Sequence, residues 1–287
     1  MELTRARAGR REVQPSLFAH SRKDTPAREY VCDYVFRPIA HLLVLVLLPL
    51  RVPPLLVLLA GTATGLAAVG ALGGRHLLFA ALLVQAKTVL DNADGQLARA
   101  SGRVSVLGRY LDSESDLLVN AALFAGLGYV TGHLLLALVA FLVLTLVLSA
   151  DFNLERLYRC ERGETVEPMP PASGAARPFA RAYSVLYAPH DRLLERLVEA
   201  RLARLHADGP ARLAYHDRWT LAVVAQLGLS TQLAVLGVCL ALGRPTAYLW
   251  LVLACGAAIL VLALRRERLV RARTIFTEFA LEERRRG

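Results

Sequence analysis

Between Leu117 and Ala150 the chain runs for 34 residues without a formally charged side chain. A helix crosses the hydrocarbon of a bilayer in about 20 residues, so this run, broken near Gly126, Gly128, Thr131, Gly132 and His133, is read as two spans, the first beginning upstream near Ser105. Leu55–Gly73, Trp219–Gly243 and Thr246–Leu264 are also free of formal charge and long enough to cross. The run from His76 to Leu90 becomes a full span if its helix continues through Ala98. The expected fold is therefore an all-α integral membrane protein with six transmembrane helices. Before them, VFRPIAHLLVLVLLPLR holds about 15 apolar residues interrupted by Arg37, Pro38, His41 and Pro49, which is short for a span and fits an amino-terminal helix lying at the interface. A further span at that place is the alternative, and it would invert the amino terminus.

Composition agrees: 55% of the residues are hydrophobic and 20% charged, too apolar for a soluble domain of this length. The net charge of +10 is spread by topology and forms no nucleic-acid stripe. The segments Gly74–His76, Gly128–His133 and Gly243–Pro245 carry only Arg75 and Arg244, whereas the termini, the loop near Arg103 and residues 151–218 hold the other arginines. The positive-inside rule then puts both termini and that loop in the cytoplasm. The expected organisation is a polar cytoplasmic tail over 1–35, a membrane domain over 36–264 with a long cytoplasmic connection at 151–218, and a basic tail over 265–287. Within the connection EPMPPASGAARP reads as flexible. The stretch DRLLERLVEARLARLHAD places Leu193, Leu194, Leu197, Leu202 and Leu205 opposite Arg192, Arg196, Glu199 and Arg204, a helix that rests on anionic lipid or packs on its neighbours. No cleavable signal peptide is expected from MELTRARAGRREVQPS, and the four cysteines have neither disulfide nor zinc spacing.

The chemistry concentrates in DNADGQLARASGRVSVLGRYLDSESD, residues 91–116. If both halves are helical, Asp91, Asp94, Gly95 and Ala98 share one face and Gly108, Asp112 and Asp116 share another. Four carboxylates converging at a membrane edge repel one another unless cations lie between them, and hard oxygen donors suit Mg²⁺ or Mn²⁺. Lys87, one turn before Asp91, is an ammonium inside an apolar helix, and it either pairs with that carboxylate, touches substrate phosphate or snorkels to the interface. Gly61 and Gly65, with Gly70 nearby, form a small-residue face suited to close helix packing or to a dimer seam. Arg103, Arg109, Arg156 and Arg159 crowd the same side and either hold an anionic acceptor or set topology.

The order Asp91-x-x-Asp94-Gly95-x-x-Ala98-Arg99, eight residues, Gly108-x-x-x-Asp112-x-x-x-Asp116 resembles, in residue and spacing, the signature of the CDP-alcohol phosphatidyltransferase family (class I). The resemblance implies a membrane transferase of phospholipid biosynthesis that passes the phosphatidyl group of CDP-diacylglycerol to an alcohol, phosphorylated or not, and releases CMP. It further implies two divalent metal ions (Mg²⁺ or Mn²⁺), with Asp91 and Asp112 bridging them, Asp94 completing one site and Asp116 the other. Asp116 would also take the acceptor's proton as the catalytic base. Gly95, Arg99 and Ser105 would contact the nucleotide end, and Gly95, Ala98 and Gly108 would give it room. A homodimer in the cytoplasmic membrane, its active site facing the cytoplasm, is implied as well. One departure stands out: where the family often opens its first span with Pro-Asn-x-x-Thr, this chain has Pro54, Leu55 and Leu58. A CDP-choline or CDP-ethanolamine phosphotransferase acting on diacylglycerol is the alternative within this chemistry. From another class, a cation transporter could use an acidic cluster, although it needs no such glycine and alanine intervals and shows no inverted repeat here.

Overall fold

The computed structural model of the chain describes residues 25–166, 171–186, 188–207 and 209–286, with residues 186 and 273–286 as backbone only. Residues 1–24 of the polar amino-terminal segment and 167–170 of the segment read as flexible lie outside it. Among the described residues the chain is helical throughout and has no strand. A π-helical turn, Cys32–Phe36, leads into α1 (Arg37–Leu47), followed by α2 (Pro54–Gly73), α3 (Leu77–Ala100), α4 (Val106–Thr131) and α5 (Leu134–Cys160). Then come α6 (Arg177–Leu186), α7 (Ala188–Arg204), α8 (Gly209–Tyr215), α9 (Arg218–Ala225), α10 (Leu229–Ala241) and α11 (Pro245–Arg286).

Local chemistry explains the boundaries that matter for the site. Pro53 is extended and Pro54 opens α2, where a missing N–H costs nothing. Gly132, at φ 72°, ends α4 in the left-handed conformation that a residue with a β-carbon resists, and so turns the chain into α5.

Among the described residues four stretches are long and apolar enough to cross a membrane: Pro54–Gly73, Leu134–Cys160, Gly209–Ala241 and Pro245–Ala272. Between 22% and 50% of their most apolar windows is buried, so at least half of each faces outward as lipid-facing residues do. Helices α3 and α4, at 24 and 26 residues, have the length to cross but carry the charges of the 91–116 segment. The third stretch is interrupted at Gln226–Gly228, between α9 and α10.

Small side chains let these helices approach closely, as association within lipid requires. One core joins Ala68 and Leu72 of α2, Ala80 and Val84 of α3, Val119 and Leu123 of α4, Ala140 and Leu144 of α5, Leu236 of α10 and Leu249 of α11. A second cluster seats Ala40 and Val44 of α1 on Val57, Ala93 and Leu97, while Leu42 and Val46 on the opposite face of α1 stay exposed.

The connection after α5 is packed, not strung out. Helix α7 runs beside the end of α5: Asp191 accepts from Asn153 Nδ2 at 2.7 Å, Arg156 meets Glu195 at 3.4 Å, and Val198 and Leu202 bury against Leu157, Tyr215 and Val270. Of the two readings left open for this helix, packing on neighbours holds for Val198 and Leu202, whereas Leu193 and Leu197 remain exposed. Helix α11 continues past residue 264 without a break, and Arg266 is buried there, its Nε donating to the Tyr215 carbonyl at 2.6 Å.

Candidate active site

Helices α3 and α4 are joined by a short turn and both pack on α2, and this brings the side chains of the two halves of the 91–116 segment within reach of one another. The Arg103 N–H donates to the Ala98 carbonyl at 2.9 Å, and Gly102 takes φ 66° to allow that closure. Ser105 then caps α4, its hydroxyl accepting the Gly108 N–H at 3.0 Å. A β-carbon on Gly108 would stand 2.9 Å from that hydroxyl oxygen, so the glycine makes room for the cap.

The aspartates of the two helices differ in depth. Asp94 is buried, Asp91 and Asp116 are half-buried, and Asp112 is exposed at the mouth. The charges of Asp91, Asp112 and Asp116 all act on Asp94. Lys87, 2% exposed, reaches between the helices: its ammonium pairs with Asp91 and lies 2.5 Å from Asp116 Oδ1. Helix α2 shapes the back wall. A β-carbon on Gly61 would stand 2.8 Å from Asp91 Oδ1, and one on Gly65 would stand 3.3 Å from Lys87 Cγ and 2.6 Å from Val119. The small-residue face therefore packs on the site, with Gly70 clear of any neighbour within 4 Å.

Among the described residues no three acidic, histidine or cysteine side chains are already gathered around one point suited to an ion. The donors nevertheless fit divalent cations. Asp94 Oδ2 is buried without a hydrogen-bond partner, a costly state for a carboxylate oxygen, and its neighbours are three further hard oxygen donors.

Of the residues expected at the nucleotide end, Gly95, Ala98 and Arg99 lie in the last turns of α3. Arg99 folds back over Gly95, its guanidinium nitrogens 3.3 and 3.4 Å from where a β-carbon of Gly95 would be, and Ala98 lies one turn from Asp94 on the same helix. Two contributors escaped the sequence reading. Arg37 of α1 lies within electrostatic reach of Arg99, pairs with Asp33, and offers its carbonyl to the buried Gln96 at 3.0 Å. Its only signal was a charge interrupting an apolar run. Asn92 binds the neighbouring elements, accepting from Cys32 Sγ at 3.2 Å and donating to Ser230 Oγ at 3.5 Å.

The arginine group divides. Arg103 donates to the Arg51 carbonyl at 3.4 Å, and Arg109 is exposed. Arg156 faces Glu195, and Arg159 faces Glu155 and Glu164 at 3.2 and 3.3 Å. Those two guanidiniums already have carboxylate partners, which weakens their assignment to an anionic acceptor.

Comparison with known proteins adds to this geometry. Residues 39–175 match the family model described as CDP-alcohol phosphatidyltransferase, and this range holds Lys87, all four aspartates and the glycines around them. A protein of Thermococcus kodakarensis (strain ATCC BAA-918 / JCM 12380 / KOD1), the "Bifunctional IPC transferase and DIPP synthase", is 46% identical over 52 residues, which cover 18% of this chain and 12% of that protein's length. No solved structure matches. The family is generally dependent on divalent metal. Over residues 39–175, just under half of its length, the chain is therefore similar to the CDP-alcohol phosphatidyltransferase family.

Proposed function

We propose that the enzyme transfers the phosphatidyl group of CDP-diacylglycerol to the hydroxyl of a second alcohol and releases CMP. The observation that carries this reading is the meeting of Asp91 and Asp94 on α3 with Asp112 and Asp116 on α4, with Asp94 Oδ2 buried and unpartnered at the centre. Asp91, Asp94, Asp112 and Asp116 would hold two Mg²⁺ or Mn²⁺ ions, whose charge would polarise the pyrophosphate and stabilise the departing CMP. Asp116 takes the proton of the acceptor hydroxyl as its oxygen attacks the phosphorus bearing the diacylglycerol. The P–O bond to CMP breaks, and CMP leaves with that bridging oxygen. Arg99, folded over Gly95 and seconded by Arg37, binds the nucleotide phosphate, while Gly95, Ala98 and Gly108 leave room beside it.

In this reading α3 and α4 join the four apolar stretches as spans, giving six, with α1 at the interface. Both termini and the α3–α4 turn face the cytoplasm by the arginine distribution. Assembly as a homodimer in the cytoplasmic membrane belongs to the same proposal. The Thermococcus protein's printed name joins a transferase to a synthase, and a match over 18% of this chain is too short to carry an alcohol across.

The test is an assay of purified protein with CDP-diacylglycerol and a panel of alcohols. CMP release only with a matching acceptor, lost in EDTA and restored by Mg²⁺ or Mn²⁺, is the expected result. Release of CMP from CDP-choline with diacylglycerol in place of CDP-diacylglycerol overturns the donor assignment, and full turnover in EDTA overturns the metal assignment.

A further inference from the structure

The contact of Lys87 with both Asp91 and Asp116 has a function of its own. We infer that Lys87 is a built-in counter-cation: its ammonium joins Asp91 of α3 to Asp116 of α4 in the metal-free enzyme, and it yields ground when a divalent cation binds there. The metal half of this inference rests on the functional reading above, whereas the metal-free half does not.

The site is constructed to hold this ammonium. Lysine in an apolar helix ordinarily extends its head toward water, yet Lys87 is 2% exposed and its head lies against carboxylates of two helices. Gly65 leaves space that Val119 fills together with the Lys87 stem, and one turn away Gly61 leaves the space that Asp91 fills. The two glycines are four residues apart on one face of α2, so a single packed helix sets both partners of the pair. Four carboxylates near one another in a low dielectric repel strongly, and one fixed positive charge between two of them holds Asp91 of α3 near Asp116 of α4 before any metal arrives. An ammonium and a divalent cation attracted by the same two carboxylates compete for their oxygens. Lys87 therefore lowers metal affinity while keeping the empty site assembled, and it acts as a positioning residue for Asp116.

The measurement is thermal unfolding of the detergent-solubilised full-length protein, in EDTA and over a Mn²⁺ titration. Lys87→Met is expected to unfold about 5 °C or more below wild type in EDTA, because it strips the cation from a buried ion pair. It is expected to gain more from Mn²⁺ than wild type does, with the half-saturating concentration lowered by about fivefold or more. A residue that only filled space would leave that concentration unchanged. Asp116→Asn supplies a second route if Lys87→Met does not accumulate: in EDTA it should lose a comparable margin, and Lys87→Gln combined with it should lose little more. Equal unfolding midpoints of Lys87→Met and wild type in EDTA, or additive losses in the combined variant, overturn the counter-cation role. A Mn²⁺ shift in wild type that the lysine variants reproduce at the same half-saturation overturns the competition. Absence of any Mn²⁺ shift in wild type sinks the metal reading of the site and leaves the EDTA comparison to decide on Lys87 by itself.

Discussion

Gly61 of α2 faces Asp91 of α3 so closely that a β-carbon at Gly61 would lie 2.8 Å from Asp91 Oδ1. No side chain can be added there without moving either the carboxylate or the helix that carries it. Gly61→Ala should therefore reduce turnover by about tenfold or more, since misplacement of a reacting group by about 1 Å can cost a hundredfold. Initial rates measured against the amount of folded protein recovered by size exclusion check this. Wild-type turnover in Gly61→Ala would mean that Asp91 has freedom to shift without consequence.

Asp116→Asn should nearly abolish transfer, by about a hundredfold or more, while binding of the CDP-linked donor stays measurable. The substitution removes the proposed base and one of several oxygen donors, and leaves Gly95 and Arg99 as they are. Rates and donor binding have to be measured on the same preparation. If more than about a tenth of the activity survived, the proton would have to go elsewhere.

The carboxylate motif was legible in the sequence because charge is rare in an apolar chain and its helical spacing needs no partner to be read. Helical class and the apolar runs were legible for the same reason. The role of Gly61 and Gly65 was only half legible: their shared face is visible in α2, but Asp91 and Lys87 lie on another helix, and no local pattern names the partner. Arg37 and Asn92 were hidden because each acts through elements far away in the chain, Asn92 through Cys32 and Ser230. Helix α7 was ambiguous because the same leucine spacing serves a lipid surface or a protein neighbour, and only the positions of Tyr215 and Val270 decide which leucines are covered. The span count is hard to read for a related reason. The site's own charges sit in α3 and α4, so mean hydropathy falls in the two helices that build it.

Glu29 caps a helix to which it is not adjacent. Its Oε1 accepts the Thr231 N–H at 2.6 Å and the Thr231 hydroxyl at 2.8 Å, at the start of α10, where the N-cap residue Gly228 has no side chain to do so. Glu29→Ala should lower the unfolding midpoint by about 2–4 °C, the effect of a lost cap worth about 1 kcal/mol in a chain of this size. Glu29→Gln, whose amide oxygen can still accept, should recover most of the loss. An unfolding midpoint unchanged in Glu29→Ala would show that the contact contributes no stability.

The orientation proposal can be tested by labelling. In a background with Cys32, Cys160, Cys239 and Cys255 replaced, single cysteines at Val104, in the α3–α4 turn, and at Arg244, between α10 and α11, are exposed positions on short connections. The arginine distribution puts the first on the cytoplasmic side and the second across the membrane. With six spans, two of them α3 and α4, the chain crosses an odd number of times between these positions: α4, α5 and then the α9–α10 span. A membrane-impermeant maleimide added to intact cells should therefore label the Arg244 position and spare the Val104 position until the membrane is opened. Labelling of both from outside would remove α4 or another helix from the list of spans. The aspartates would then have to be placed on a different side from the one that the arginines indicate.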